Sequence, residues 1–278
     1  MYVAGVDLGS LTAKAVIIKD GKIAASHVMP AGYNSAETSK KVMEECLKEL
    51  GLSIDDLAYT VSTGYGRINV PFADKQITEI TCHAKGAAHF FPEAKTIIDI
   101  GGQDSKAIKI QNGRPIDFVM NDKCAAGTGR YLEVTADALG IPIEQMGPIA
   151  LGAKNPAQIS NICTVFAEQE VVARLAEGVP LDDLVAGILE SLASRISRMV
   201  NRLKAEEELV ITGGGAKNVG LVTALSEKLG CAARVPPEPL LTGAVGAALL
   251  GKDMVEKALK HGLPLEKKER SLKEISLY

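Results

Sequence analysis

Tryptophan is absent from this chain of 278 residues, and aromatic residues together make up only 4%. Few side chains are therefore available as stacking platforms for bases or sugar rings. Basic charge is not in excess: 31 Lys and Arg stand against 34 Asp and Glu, giving a net charge of -3 and a pI of about 5.9. That balance excludes the basic face or stripe of a nucleic-acid-binding protein. No run of about 18 apolar residues occurs, so no membrane span is expected. Residues 1–20 read as strand, turn and strand, with Asp7 inside the apolar run, which is not the pattern of a signal peptide. The cysteines are odd in number, 5, and none forms a C-x-x-C pair, so a disulfide framework is not expected and a reduced cytoplasm is. Histidines 27, 83, 89 and 261 show no metal-ligand spacing. What remains is 46% hydrophobic and 23% charged, enough for a full core, with 27 glycines gathered in clusters. The length fits two domains or one large one.

A repeat emerges among those glycines. Val3–Gly9 reads as an apolar strand ending in Asp7 and Gly9. A polar turn, Ser10-Leu11-Thr12, leads to a second strand over Ala13–Lys19, a hairpin turn at Asp20-Gly21, and a third strand over Lys22–Met29. Thr96–Gly102 repeats the pattern, ending in Asp99 and Gly101. Gln103-Asp104-Ser105 forms its turn, Lys106–Ile110 its second strand, Asn112-Gly113 its hairpin turn, and a third strand runs to about Met120. Asp7 aligns with Asp99, Gly9 with Gly101, Lys14 with Lys106, Ala15 with Ala107 and Gly21 with Gly113, each pair 92 residues apart without a gap. That regularity points to a duplicated domain core. A tight glycine turn between strands aims backbone N–H groups outward as a nest for anionic oxygens. An Asp at the strand end before it can hold Mg²⁺ through water. Two such hairpins facing each other would grip a polyphosphate.

A third glycine-rich turn, Gly213-Gly214-Gly215, follows the apolar strand Leu209–Thr212 and precedes Lys217, Asn218 and a helix from about Val219. Backbone this bare can lie against a flat ring or a ribose. A small-residue stretch, Thr242–Ala248, reads as a helix packed closely against another backbone.

In this order the four elements resemble the actin, sugar-kinase and heat-shock-chaperone ATPase superfamily, as its two phosphate motifs, its adenosine motif and its connecting motif. The resemblance implies an α/β chain of two ribonuclease-H-like, actin-like ATPase domains with a nucleotide cleft between them. The lobes would be residues 1–94 with 243–278, and 95–242. A narrower resemblance lies in Ser62–Arg67, Asp74–Ile77, Asp99–Asp104, Asn121–Arg130 and Cys163–Glu168. These segments look like the ATP-dependent activators of 2-hydroxyacyl-CoA dehydratases, a group that includes the ATPase subunits of benzoyl-CoA reductase. The resemblance runs from residue 1 to about 250, and the charged tail from about Lys252 carries no family signal.

Two cysteines then stand out. Cys124 comes shortly before a helical stretch over Arg130–Leu139 that Gly140 and Pro142 stop. Cys163 opens a second, Thr164–Glu177, stopped by Gly178 and Pro180. Both are expected at or near helix N-termini, where free N–H groups and the helix dipole favour a thiolate. From residues alone, they are either buried structural thiols or half of a site, because two thiolates per chain cannot complete the four that a [4Fe–4S] cluster takes. The activator resemblance implies the second, with Cys124 and Cys163 of two chains sharing one oxygen-sensitive cluster in a homodimer. Cys46 on the helix after Asn34, Cys82 within Thr78–Phe91, and Cys231 at a strand start read as packing residues. Asn34 and Glu37 form a capping-box pattern.

The implied activity is ATP-driven, low-potential one-electron donation. ATP or ADP with Mg²⁺ would sit on Gly9, Ser10, Leu11, Thr12 and Lys14, on Gly101, Gly102 and Gln103, and on Gly213, Gly214, Gly215, Lys217 and Asn218. Asp7 and Asp99 would position Mg²⁺. Gln103, Asp104 and Glu168 are the candidates for orienting the attacking water. Raising one electron by roughly 300 mV costs about 7 kcal/mol, the scale of nucleotide hydrolysis. The donor would be ferredoxin or flavodoxin. The acceptor would be a separate iron–sulfur enzyme: a 2-hydroxyacyl-CoA dehydratase, a benzoyl-CoA-reductase-type enzyme, or a double-cubane protein. A small-molecule kinase of the same superfamily is the rival reading; it needs a catalytic Asp in the cleft and no role for Cys124 or Cys163. An ATP-gated chaperone module is a weaker one, because only a short charged tail follows Leu250.

Overall fold

Backbone angles bear out both expected hairpin turns. Asp20 and Gly21 take φ of 52° and 85°, and Asn112 and Gly113 take 51° and 70°. Two successive residues with positive φ make a tight turn whose twist suits the flanking strands, which is why Asp-Gly and Asn-Gly occupy it. The computed structural model describes residues 1–159, 163–268, 270 and 272. The end of the charged tail lies largely outside them.

In chain order, the first elements are β1 (Tyr2–Leu8), β2 (Thr12–Lys19), β3 (Lys22–Pro30), α1 (Ser35–Leu50), β4 (Leu57–Thr63), β5 (Lys75–Gln76) and α2 (Glu79–Phe90). There follow β6 (Thr96–Ile100), β7 (Ser105–Gln111), β8 (Arg114–Asn121), α3 (Gly129–Leu139), α4 (Ile143–Ala150), α5 (Thr164–Ala176) and α6 (Leu181–Arg202). The last are β9 (Leu209–Thr212), α7 (Val219–Leu229), β10 (Ala233–Arg234) and α8 (Thr242–His261). The chain divides into two compact units: Met1–Pro92 with the stretch from Leu240 onward, and Glu93–Pro239.

Each unit holds one five-stranded sheet, in the order β3-β2-β1-β4-β5 and β10-β9-β6-β7-β8. Read from its hairpin edge, the second sheet repeats the first strand for strand. In both, the first three strands are antiparallel and the fourth joins the first in parallel. The sheet order thus supports the duplication suggested by the aligned residues.

In the first unit, α1 packs on one sheet face, against Ala4, Val6, Ala15 and Ile17. Helices α2 and α8 pack on the other, with Val3, Val16, Ile18 and Val61. The small residues of α8 do what the sequence predicts: a Cβ on Gly246 would overlap the Cys82 carbonyl, and one on Gly5 the Ala244 carbonyl. In the second unit, Ile98, Ile100, Ala107 and Ile211 join one core with α3 to α7.

Three local expectations are modified. Asn34 does cap α1, its Oδ1 accepting from the Glu37 N–H at 3.2 Å. The Glu37 carboxylate turns instead to Lys41, one helical turn on, at 2.5 Å, so only half the capping box forms. Cys231 lies in the turn after α7, which Gly230 ends in a left-handed conformation, and the strand begins two residues later. Cys124 lies in a loop well before Thr128, the N-cap of α3. A helix dipole acts within about one turn; Cys163 stands at the expected helix start, as the N-cap of α5, and Cys124 does not.

Candidate functional site

Asp7 and Lys14 are register partners across β1 and β2, and Asp99 and Lys106 across β6 and β7. Lys14 Nζ lies 3.3 Å from Asp7 Oδ2, and Lys106 Nζ 3.4 Å from Asp99 Oδ2. All four side chains are buried, and a buried carboxylate is tolerated because it is paired. The two turns also match: Gly9 N–H donates to the Thr12 carbonyl at 3.0 Å, and Gly101 N–H to the Asp104 carbonyl at 2.9 Å. Ser10, Leu11, Thr12, Gly101 and Gly102 are half-buried along these turns, while Gln103 is exposed at the tip of the second.

The surroundings of the two carboxylates differ. Asp99 Oδ1 accepts from Thr212 Oγ1 at 3.0 Å, and Lys106 makes a second, shorter ion pair with Asp104 at 2.5 Å. Asp7 instead faces the start of α8. A Cβ placed on Gly243 would lie 3.0 Å from both Asp7 Oδ2 and His83 Nε2. His83 is buried here, a neighbour that its spacing to other histidines does not reveal.

A second internal correspondence is visible only in three dimensions. Thr63 pairs with Asp7 in the parallel register of β1 and β4, as Thr212 pairs with Asp99 in that of β6 and β9. Gly64 and Gly213 follow at φ of 84° and 80°, and a side chain on either would strike the preceding Asp and the carbonyl beside it. Thr63-Gly64-Tyr65-Gly66 is thus the first unit's counterpart of Thr212-Gly213-Gly214-Gly215. Beyond the latter, Lys217 pairs with Glu238 at 3.2 Å, and the Asn218 carboxamide caps α7 by accepting from Leu221 N–H at 3.0 Å.

The cysteines separate by environment. Burial pushes the Cys46 and Cys82 thiols up to about 12, and raises Cys231 as well. Cys124, Cys163 and Cys231 are partly exposed. The Cys124 loop is held at both ends. Asn121 Nδ2 donates to the carbonyls of Cys124 and Ala126 at 3.0 and 3.2 Å, and Thr128 Oγ1 to that of Ala125 at 2.7 Å. Arg195 of α6 donates from Nη2 to Cys124 Sγ at 3.2 Å. Beside it lies a pocket of about 310 Å³ between β8 and α6, lined by Asn121, Gly127, Arg195, Arg198 and Arg202 among others. Glu168 is exposed on α5, five positions beyond Cys163. Among the described residues, no group of three or more His, Cys, Asp or Glu is placed to hold a metal, and no helix is long and apolar enough to cross a membrane.

Residues 4–251 match the BadF/BadG/BcrA/BcrD ATPase family. The chain is 46% identical over 259 residues to the activator of lactoyl-CoA dehydratase from Anaerotignum propionicum, covering 92% of this chain and 100% of that protein. It is 44% identical over 262 residues to the 2-hydroxyisocaproyl-CoA dehydratase activator from Clostridioides difficile, covering 94% and 98%. The solved structure of a Clostridium difficile activator of 2-hydroxyisocaproyl-CoA dehydratase with bound ADPNP superposes with a TM-score of 0.90, at 43% identity, covering 98% of this chain and 100% of that one. With the duplicated actin-like sheets, the paired Asp–Lys turns and this match over most of its length, the chain belongs to the BadF/BadG/BcrA/BcrD ATPase family.

Proposed function

We propose that this ATPase is the activator of a 2-hydroxyacyl-CoA dehydratase, hydrolysing ATP to deliver one low-potential electron to that iron–sulfur partner. One observation carries the reading. Within the second unit, Gly129 N–H donates to the Gly101 carbonyl and Arg130 N–H to the Gly102 carbonyl, each at 2.8 Å. The phosphate-type turn is thereby bonded to the helix that follows Cys124.

The turns Gly9–Lys14 and Gly101–Lys106 take the phosphates of ATP through outward N–H groups and the two lysines. Gly214, the exposed residue of the Gly213–Gly215 turn, offers backbone to the adenosine, while Gly213 and Gly215 pack against Ile100. Asp7 and Asp99 fit Mg²⁺ held through water, because each carboxylate is already engaged by a lysine and Asp99 also by Thr212. Gln103 orients the attacking water. It is exposed at the turn tip, whereas the Asp104 carboxylate is held by Lys106.

The cysteines fit a shared [4Fe–4S] group rather than a closed one. Of the three partly exposed thiols, Cys231 sits in the turn after α7 and its thiol is raised by burial and by Glu207, which leaves Cys124 and Cys163 as two of four ligands; Cys46 and Cys82 are fully buried. When bound, the cluster supplies a one-electron store whose potential the protein sets. Cys124 and Cys163 of two copies would hold it, as ligands from both subunits of a homodimer. Support comes from α5, which begins at Cys163 and leaves Phe166, Val172 and Leu175 exposed on more than one side. A second copy packed on this helix would cover them. The residues of this chain bind ATP, shift the Gly101–Gly102 turn, and carry that shift through Gly129 and Arg130 to the Cys124 loop. Reloading would come from ferredoxin or flavodoxin.

The test is reduction of a purified 2-hydroxyacyl-CoA dehydratase by anaerobic protein, with and without ATP. ATP-dependent transfer that Cys124→Ala and Cys163→Ala abolish is expected. ATP hydrolysis with no electron transfer to any dehydratase, from protein carrying its full iron, would contradict the proposal.

A further inference from the structure

A guanidinium donating to a cysteine sulfur is an uncommon partnership, because a neutral thiol is a weak acceptor. A thiolate is a strong one, and charge-assisted bonds to it are roughly twice as strong as neutral ones. Arg195 makes this contact with Cys124 at 3.2 Å, from a helix 71 residues away in sequence. The contact is built on both sides. Gly127 has a φ of 109°, and a Cβ there would come within 3.1 Å of Arg195 Cδ and 2.9 Å of Asn121 Nδ2. Glycine is therefore needed twice at position 127: for the turn, and for the arginine stem that passes over it. Asn121 fixes the Cys124 and Ala126 carbonyls from below. Loop and arginine are thus positioned for each other.

We propose that Arg195 is a positioning residue that sets the reduction potential of the redox group held by Cys124. The inference rests on the cluster reading above. Reduction adds a negative charge to a thiolate-ligated group, and a cation bonded to a ligand sulfur stabilises the reduced form more than the oxidised one. Arg195 therefore raises the potential and eases loading by the donor. Arginine suits the role better than lysine because its planar donor stays charged at every working pH. Movement of the Cys124 loop away from α6 would weaken this bond and make the electron a stronger reductant. The loop's own attachment, through Gly129 and Arg130, is to the phosphate turn.

The experiment is a redox titration of anaerobic, nucleotide-free protein followed by electron paramagnetic resonance, with iron and sulfide measured on every variant. Arg195→Gln is expected to keep its iron and to shift the one-electron equilibrium about tenfold toward the oxidised form, which is about 59 mV more negative. Arg202→Gln removes the same charge two turns along α6, about 10 Å away, and should leave the potential at the wild-type value. Arg195→Gln at the wild-type potential with full iron would overturn the inference and leave the cluster reading standing. Equal shifts in Arg195→Gln and Arg202→Gln would overturn it too, by assigning the effect to general charge. If Arg195→Gln fails to retain iron, Arg195→Met decides: a negative shift with full iron supports the role, and the wild-type potential with full iron ends it. Wild-type protein that takes up no iron would instead sink the cluster reading, and this inference with it.

Discussion

The backbone N–H of Gly129 donates to the carbonyl of Gly101 at 2.8 Å. This bond joins the turn after Asp99 to the first residue of the helix behind Cys124, so neither segment moves alone. A Cβ at Gly129 would sit 3.0 Å from that carbonyl and 3.4 Å from Gly102 Cα, tight enough to push the two apart by a few tenths of an ångström. Gly129→Ala should therefore loosen coupling while sparing fold and nucleotide binding. ATP hydrolysed per electron delivered should rise several-fold, measured by phosphate release against acceptor reduction. An unchanged ratio would show that the signal travels elsewhere.

The Asp7–Lys14 pair separates stability from chemistry. Asp7→Asn leaves Lys14 buried beside a neutral amide, and breaking a buried pair costs about 3–5 kcal/mol. Hydrolysis should be lost as well, because Mg²⁺ loses a carboxylate. In Asp7→Asn/Lys14→Met the stray charge is gone. Denaturant melts should then recover most of the lost stability while hydrolysis stays absent. Recovery of both would remove Asp7 from the catalytic site.

The cysteines predict a labelling order. Thiolate is the reactive form, and a thiol pushed to about 12 is roughly one part in 10,000 thiolate at pH 8. Folded, metal-free protein treated with iodoacetamide should be modified at Cys124 and Cys163 first. Cys46 and Cys82 should label only after unfolding, as read by peptide mass mapping. The same shifts set a pH trend. Above the ordinary thiol value of 9.0 the unfolded chain releases protons that the folded chain keeps, so stability falls as pH rises from about 9 toward 12. Cys46→Ala should flatten that decline.

Asp74 ties the chain's last described stretch to the first unit. Its carboxylate accepts from Thr60 N–H at 2.7 Å and Lys268 N–H at 3.1 Å, and forms a buried ion pair with Arg270. Arg270 also reaches the Leu57 carbonyl at 2.6 Å. Asp74→Ala should cost about 3–5 kcal/mol and expose the segment beyond α8 to early proteolysis. An unchanged melt would show the latch to be idle.

The hairpins were legible because their signals are local: Asp-Gly and Asn-Gly turns, and an Asp and a Lys seven residues apart. The likeness of Thr63–Gly66 to Thr212–Gly215 was hidden, because α3 to α6 intervene in the second unit and destroy the constant offset. His83 beside Asp7, Arg195 on Cys124 and Arg270 on Asp74 leave no trace in spacing, since each is a contact between elements far apart in the chain. The helix-start argument for Cys124 failed on distance: α3 begins at Gly129, one residue before the stretch read from the sequence, yet Cys124 still lies four residues ahead of its N-cap, Thr128. The resemblance to the activators rested on five short segments, of which those with Cys124 and Cys163 are the most specific, and the family match covers all five.

The most direct test of the account is the iron and acid-labile sulfide content of anaerobically purified protein, measured with its mass in solution. The account predicts about four of each per dimer, falling to none in Cys124→Ser. Colourless, iron-free protein after anaerobic reconstitution would contradict it, and would leave an ATPase whose two paired Asp–Lys turns serve some other transfer.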